Sequence, residues 1–156
     1  MDQTREHVLR NFPSIEWLEV LRDGMNSSPD RYRKIGTADT QFVITVESDD
    51  EATHFGVVLS AYGCDEVTVV DDVEAFEPDF RIRGQKDAWF EMVENIITHG
   101  KADREHTLNR LTLIRRPLEV LRTATMTEYE KFFQYNYTLQ SFFDELGADK
   151  QVAAVS

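Results

Sequence analysis

Only one cysteine, Cys64, is present among the 156 residues, and this scarcity excludes several classes of protein. A single thiol cannot form an internal disulfide, and it cannot supply the thiolate set of a cysteine-rich zinc site. A lone free thiol is also typical of a reducing compartment. We therefore expect a cytoplasmic protein without a structural disulfide.

Long apolar runs are missing as well. No stretch approaches the roughly 18 apolar residues that a membrane-spanning helix needs. The first twenty residues also lack the apolar segment after a basic start that marks a secretory signal. The sequence therefore predicts no stable insertion into a membrane.

Basic residues are scarce, since 17 Lys and Arg stand against 29 Asp and Glu, which gives a net charge of −12. Phosphate contacts require clustered Lys and Arg, so this acidic excess argues against binding to nucleic acid. It argues equally against docking on an anionic membrane surface.

The remaining composition is typical of a folded domain. Hydrophobic residues make up 41% of the chain and charged residues 29%, and the seven glycines and four prolines are scattered rather than gathered into a linker. We predict a single domain over residues 1–147 and a flexible tail over 148–156.

The first half of the chain predicts one helix followed by a small sheet. Ser14 is placed to cap a helix over 14–23, which Gly24 and the loop at 26–30 end. Three runs rich in β-branched residues predict an antiparallel meander joined by short polar turns: 42–46, 54–59 and 67–70.

The middle of the chain predicts a fourth strand and a second helix. Residues 71–79 form an acidic loop, and the alternation in 80–84 predicts a half-buried strand. Asp87 is placed to cap a helix that Gly100 ends. Within residues 102–125, the run 108–114 is compatible with either a helix end or a strand, and Pro117 breaks the element that precedes it.

The C-terminal part predicts one long helix. Thr127 and Glu130 have the spacing of a capping box, and Gly147 stands where a helix would stop. Together these elements predict an α+β domain with a mostly antiparallel sheet.

Motifs of catalysis and metal binding are weak. The glycines stand too far apart for a phosphate-binding loop. Cys64 lies in an acidic turn, and neighbouring carboxylates disfavour the thiolate form that a nucleophile needs. None of the four histidines has the i, i+4 spacing of a helical metal site. We predict no metal site and no cofactor.

Aromatic residues crowd the last predicted helix. Two adjacent pairs, Phe132–Phe133 and Phe142–Phe143, span more than half of its circumference, so one ordinary core stripe cannot bury all of the rings. Two interpretations remain open, namely that some rings line a ligand cavity, or that the helix is a buried element or dimer interface.

Two polar residues interrupt this aromatic surface. Asn136 and Gln140 lie four residues apart beside Leu139, and buried amides need hydrogen-bond partners. The hydroxyl or carbonyl group of a ligand would serve, and so would groups of the protein core.

Two segments carry a resemblance to a known family. Residues 80–92, FRIRGQKDAWFEM, resemble the sterol carrier protein type two family, in which a strand of alternating apolar residues leads through a glycine turn into a helix with an aromatic and aliphatic face. Residues 132–144, FFQYNYTLQSFFD, are similar to the C-terminal helix of bacterial members. The resemblance covers roughly residues 15–145 and consists of loose patterns.

The resemblance implies a five-stranded sheet covered by helices, with an apolar cavity between the sheet and the C-terminal helix. Members of the family bind and deliver sterols, fatty acids or acyl-CoA and carry no catalytic centre. The implied and inferred ligand-binding residues are Phe42, Ile44, Val57, Leu59, Phe80, Ile82, Trp89, Phe90, Val93, Ile97, Phe132, Tyr135, Asn136, Leu139, Gln140 and Phe143.

We therefore expect non-catalytic binding or transfer of a hydrophobic ligand, with a second copy of the chain or a lipid-metabolising enzyme as candidate protein partners. The alternative is a small enzyme of the cone-shaped fold of ketosteroid isomerases and polyketide cyclases, with Asp79 or His106 as general base. A third interpretation, an interaction module that dimerises through its aromatic helix, needs no ligand.

Overall fold

The computed structural model describes residues 3–122 and 130–148, which form a five-stranded sheet packed with helices. The strands are β1 Thr40–Ser48, β2 Glu51–Ser60, β3 Gly63–Val70, β4 Phe80–Gln85 and β5 Leu118–Arg122. The α-helices are α1 Gln3–Arg10, α2 Ile15–Asn26, α3 Pro29–Ile35, α4 Val73–Phe76, α5 Lys86–His99, α6 Lys131–Gln134 and α7 Asn136–Asp144. A π-helix covers Arg110–Ile114, and a 3-10 turn, Glu145–Gly147, follows α7.

The strands lie in the order β3-β2-β1-β4-β5, so the first strand of the chain is the central one. The pairs β1–β2, β2–β3 and β4–β5 are antiparallel, and β1–β4 is parallel. The predicted meander and the predicted α+β class with a mostly antiparallel five-stranded sheet are confirmed.

Strand alternation separates the two faces of the sheet. On the inner face, Phe42 of β1 is paired with Val57 of β2 and with Phe80 of β4, and all three side chains are fully buried. The next inner row continues with Ile44 at its centre. Helices cover this face, because only burial against another element removes such a continuous apolar surface from water.

Two helix boundaries in the first half differ from the prediction. Ser14 does stand before α2, but its side chain makes no capping hydrogen bond. Gly24 does not end the helix, which runs on to Asn26. A Cβ at Gly24 would lie 3.0 Å from the Cβ of Glu145, so this glycine allows close packing inside the helix rather than stopping it.

Two predicted loops contain short helices. The segment at 26–30 leads into α3, because a proline such as Pro29 fits the first turn of a helix as well as a turn. The acidic loop contains α4, and Asp72 caps it by accepting hydrogen bonds from the backbone N–H groups of Glu74 and Ala75 at 3.1 and 3.3 Å.

Helix α5 buries the predicted face and ends at Gly100 in a left-handed conformation, as expected. Asp87 is not its cap, however, because the helix already begins at Lys86 and Asp87 lies within the first turn. The run 108–114, compatible in sequence with a helix end or a strand, contains the π-helix, and β5 follows after Pro117.

The predicted terminal helix is divided. From Lys131 onward, the helix breaks at Tyr135, whose φ of −102° and ψ of 21° are not helical. Gly147 lies in the 3-10 turn, where an added Cβ would overlap the carbonyl oxygen of Gly100. This glycine therefore permits a close backbone approach.

Two predicted features of the C-terminal part fall outside the described residues. They are Thr127 of the expected capping box and residues 149–156 of the expected tail. In the described ranges, no helix has the length and apolar character to span a bilayer.

Candidate functional site

A line of four aromatic rings runs from the sheet to the surface. Phe42 and Phe80 are stacked at a centroid distance of 5.0 Å, Phe132 meets Phe80 edge-on at 5.6 Å, and Phe133 meets Phe132 edge-on at 5.2 Å. The first three are fully buried, whereas Phe133 is 45% exposed. We call these four residues the phenylalanine column.

Local structure explains the column. The parallel register of β1 and β4 pairs Phe42 directly with Phe80, and strand alternation turns both rings to the helical side. Helix α6 then places Phe132 over Phe80. Neighbouring side chains of a helix point in directions about 100° apart, so Phe133 reaches the surface while Phe132 faces the core.

Helix α6 is attached to the sheet by a salt bridge as well as by Phe132. The ammonium group of Lys131 lies 3.2 Å from Oδ2 of Asp79. Asp79 is itself held by the hydroxyl of Thr40, which donates to Oδ2 at 2.6 Å, and by the backbone N–H of Gln41 at 3.2 Å. The break at Tyr135 separates α6 from α7, so α6 is a short covering segment over the column.

The rest of the aromatic core forms a second cluster. Trp17 of α2 lies 5.9 Å from Trp89 of α5 and 6.1 Å from Phe143 of α7, measured between ring centroids. The indole N–H of Trp89 donates to the carbonyl of Thr45 at 3.0 Å and fixes that ring against the sheet. This cluster joins three helices, whereas the column depends on α6.

The structure places the sequence-predicted lining residues in one continuous core. Phe90 and Tyr135 are half-buried and pack against it. The other apolar members of the predicted set are buried: Phe42, Ile44, Val57, Leu59, Phe80, Ile82, Trp89, Val93, Ile97, Phe132, Leu139 and Phe143. Phe133 is absent from the predicted set, and its signal in the sequence is its position beside Phe132.

Asn136 and Gln140 find protein partners. The side chains of Asn136 and Asn109 hydrogen-bond to each other. Gln140 accepts from the backbone N–H of Leu108 at 2.7 Å and donates to Asp144 at 3.0 Å. These two amides therefore fasten the segment before the π-helix to α7.

The two residues considered as a general base are both engaged. Asp79 is the anchor of α6 described above. His106 lies with Nδ1 2.6 Å from Asp103 and Nε2 2.9 Å from Glu91. Partial burial acts to lower the pKa of His106, but the hydrogen bonds and charges of the two carboxylates outweigh it, and the pKa is raised.

Cys64 lies in β3 rather than in a turn, and it is buried. Burial is the main reason that its thiol pKa rises to about 12, with a smaller contribution from Asp65. The raised pKa keeps the thiol protonated at neutral pH, which disfavours the thiolate that a nucleophile needs.

Sequence reasoning missed one buried charge. Glu145 is only 2% exposed, and it accepts hydrogen bonds from the hydroxyl of Tyr32 at 2.5 Å and from Nη1 of Arg31 at 3.1 Å. Burial, followed by the charge of Glu145, raises the pKa of Tyr32 far above its usual range. The tyrosine therefore remains a hydrogen-bond donor.

Among the described residues, no group of three or more His, Cys, Asp or Glu side chains could hold a metal ion.

Comparison with known proteins supports the fold. The sequence matches no family model and no curated protein. Its structure is similar to the solution structure of TT1886 from Thermus thermophilus, a conserved hypothetical protein and candidate sterol carrier protein, with a TM-score of 0.61 and 15% identity over 87% of each chain. A second similar structure is apo sterol carrier protein 2 from Yarrowia lipolytica, with a TM-score of 0.49 and 14% identity over 83% of this chain and 88% of that one.

At 15% identity, the likeness to TT1886 shows the fold alone. The chain has a sterol carrier protein-like fold, and the resemblance predicted from residues 80–92 and 132–144 is confirmed at that level.

Proposed function

We propose that this protein binds a hydrophobic ligand, without catalysis, at the phenylalanine column. The observation that carries the proposal is the continuous path of aromatic rings from the inner face of the sheet to the partly exposed Phe133. An apolar chain or ring system that enters beside Phe133 and displaces Phe132 would exchange one set of apolar contacts for another. Such an exchange leaves little new apolar surface in water.

Helix α6 is the element that would move. It is four residues long and is separated from α7 by the break at Tyr135, so it can tilt without unwinding the longer helix. The second aromatic cluster would stay in place, because it ties α2, α5 and α7 together. In this proposal the column is the binding site and the second cluster is the scaffold.

The class of ligand follows from the walls of this site. Phe42, Phe80 and Phe132 offer only apolar contacts, and apolar pockets select ligands by shape and hydrophobic area. Fatty acids, acyl-CoA and sterols all present an apolar body of this kind. The sterol carrier protein-like fold supports the same class of ligand.

The enzyme alternative receives less support. Asp79 anchors α6, and His106, whose side chain is half-buried, is held between two carboxylates. The contacts described above engage both side chains with other protein groups, and none of those contacts is with a ring of the column. We further propose that the protein transfers its ligand between membranes and that residues 1–147 form a single domain. We also propose a cytoplasmic location, which the free thiol of Cys64 supports.

Titration with the fluorescent fatty acid cis-parinaric acid tests the proposal. We expect saturable binding of about one molecule per chain, with displacement by unlabelled oleate or cholesterol identifying the preferred class. Phe133→Ser should weaken binding about fivefold, because the contact of a half-exposed ring contributes about 1 kcal/mol.

Tyr137→Ser is the matched control. Tyr137 is also an exposed aromatic residue, at 79%, and lies four positions away, but it is not part of the column. Its substitution should leave the affinity for cis-parinaric acid within about twofold, the change expected for a surface substitution. Absence of saturable binding, or an equal loss in both variants, would contradict the proposed site.

A further inference from the structure

The π-helix ends in an exposed segment that combines two apolar and two basic side chains. Leu113 is 46% exposed and Ile114 is 62% exposed. Arg115 and Arg116 follow directly, and both are exposed. We call residues 113–116 the π-helix tip.

Buried residues at the start of the π-helix fix the position of the tip. Leu111 and Thr112 are buried, and the Thr112 hydroxyl donates to the carbonyl of Leu108 at 2.9 Å. Arg115 donates to the carbonyl of Glu105 at 3.1 Å, which supports the end of the π-helix. The next residue, Arg116, has a positive φ of 61°, so the chain turns sharply there. The fold thus presents these two apolar side chains to the outside.

The segment of the chain that carries the tip has a net positive charge, opposite in sign to that of the whole protein. Residues 101–122 contain six Lys and Arg against three Asp and Glu, whereas the whole chain has a net charge of −12. Glu105 partly offsets Arg110 at 3.3 Å, and Glu91 lies 3.8 Å from Arg115. Arg116 makes no ion pair with any residue that the structure describes.

We propose that the π-helix tip docks on an anionic lipid surface. Leu113 and Ile114 would enter the interface between head groups and acyl chains, while Arg115 and Arg116 would meet lipid phosphates. The acidic net charge predicts repulsion from such a surface, but exposed charges farther than about 8–10 Å away are largely screened at physiological ionic strength. The charges within about 10 Å of the tip, including those of Arg115 and Arg116, therefore decide whether this segment can dock.

The apolar pair favours a lipid surface over the other occupants of a basic patch. Nucleic acid would be bound through phosphate contacts, to which two exposed aliphatic side chains contribute nothing. A second copy of this chain carries the same net charge of −12, so two copies repel each other overall. The tip shares no residue with the phenylalanine column, so docking and ligand binding can be tested separately.

Flotation with lipid vesicles tests the proposal on the whole protein. Vesicles of phosphatidylcholine with about 30% phosphatidylglycerol should bind the protein, and pure phosphatidylcholine vesicles should bind it several-fold less, because an anionic surface attracts each nearby basic residue. Arg116→Gln should reduce binding to anionic vesicles about fivefold, which is the effect of one basic residue near the surface. Ile114→Ser should reduce it by about tenfold through the lost apolar contact.

Two control variants change similar side chains elsewhere. Val69→Ser removes an exposed apolar side chain from β3, and Lys34→Gln removes an exposed cation from α3. Both should retain wild-type vesicle binding, and circular dichroism should show all four variants folded. Cis-parinaric acid binding should be unchanged by Ile114→Ser, which separates this surface from the proposed ligand site.

Three results would overturn the inference. These are no binding of the wild-type protein to anionic vesicles, equal binding to neutral and anionic vesicles, and equal losses in the tip and control variants. Self-association in sedimentation that Ile114→Ser abolishes, without vesicle binding, would instead identify the tip as a contact between copies of the chain.

Discussion

Replacing Tyr32 by phenylalanine should destabilise the fold through one hydrogen bond. The Tyr32 ring is fully buried, and its hydroxyl donates at 2.5 Å to Glu145, which is 2% exposed. A hydrogen bond to a charged group contributes about 1.5–3 kcal/mol, because its loss leaves a buried charge less well solvated. Glu145 keeps its contacts with Arg31, so we expect a loss of about 2 kcal/mol.

Arg31→Met should have a smaller effect, although it removes an opposite charge. The Arg31 side chain is 37% exposed, so water screens its interaction with Glu145 and also solvates it in part. We expect a loss of about 1 kcal/mol. For a protein of this length, the two variants should lower the melting temperature by about 4–8 °C and 2–4 °C respectively.

Urea unfolding followed by circular dichroism provides the measurement, with Tyr137→Phe as the control because that hydroxyl is on an exposed side chain. The control should stay within about 0.5 kcal/mol of the wild type. A Tyr32→Phe variant as stable as the control, or an Arg31→Met variant less stable than Tyr32→Phe, would refute this account of the buried carboxylate.

Two glycines and one histidine give the remaining predictions. Gly147→Ala should destabilise the fold by about 3 kcal/mol or more in urea unfolding, because its Cβ would overlap the backbone oxygen of Gly100. Gly56→Ala should have less than half that effect, since the atom it meets at 2.5 Å belongs to the half-buried ring of Phe76, which can rotate away; equal losses would show that this ring is fixed. The raised pKa of His106 means that its contribution to stability is complete below its unfolded pKa of about 6.5 and is lost as the pH rises through the folded value. His106→Asn should therefore flatten the dependence of the unfolding free energy on pH above about pH 6.5, and an unchanged slope there would exclude His106 as its source.

The strands could be predicted because their signals are local. Runs such as 42–46 combine β-branched residues with burial on both faces, and the alternation in 80–84 marks a strand with one buried face. The position of β4 beside β1 could not be predicted from such signals. It depends on where the β3–β4 connection crosses the sheet, and nothing in residues 71–79 encodes that direction.

The sequence predicted which residues of the candidate site are buried, but not how their rings are arranged. The apolar patterns indicated which residues are buried, whereas the division into a column and a second cluster depends on the break at Tyr135. Tyr135 has no proline or glycine neighbour that would mark the break. The partners of Asn136 and Gln140 were equally hidden, because Leu108 and Asn109 are distant in sequence.

The central position of β1 in the sheet affects the order in which the strands can pair while the chain is being synthesised. Once residues up to Val70 exist, β1, β2 and β3 can pair as consecutive hairpins. The other edge of β1 then presents unpaired N–H and carbonyl groups until Phe80 and the rest of β4 follow. An unpaired, apolar strand edge is a template for association with other chains. A fragment that stops before β4 would keep that edge open, and the acidic stretch 71–79 would be the charge nearest to it in sequence.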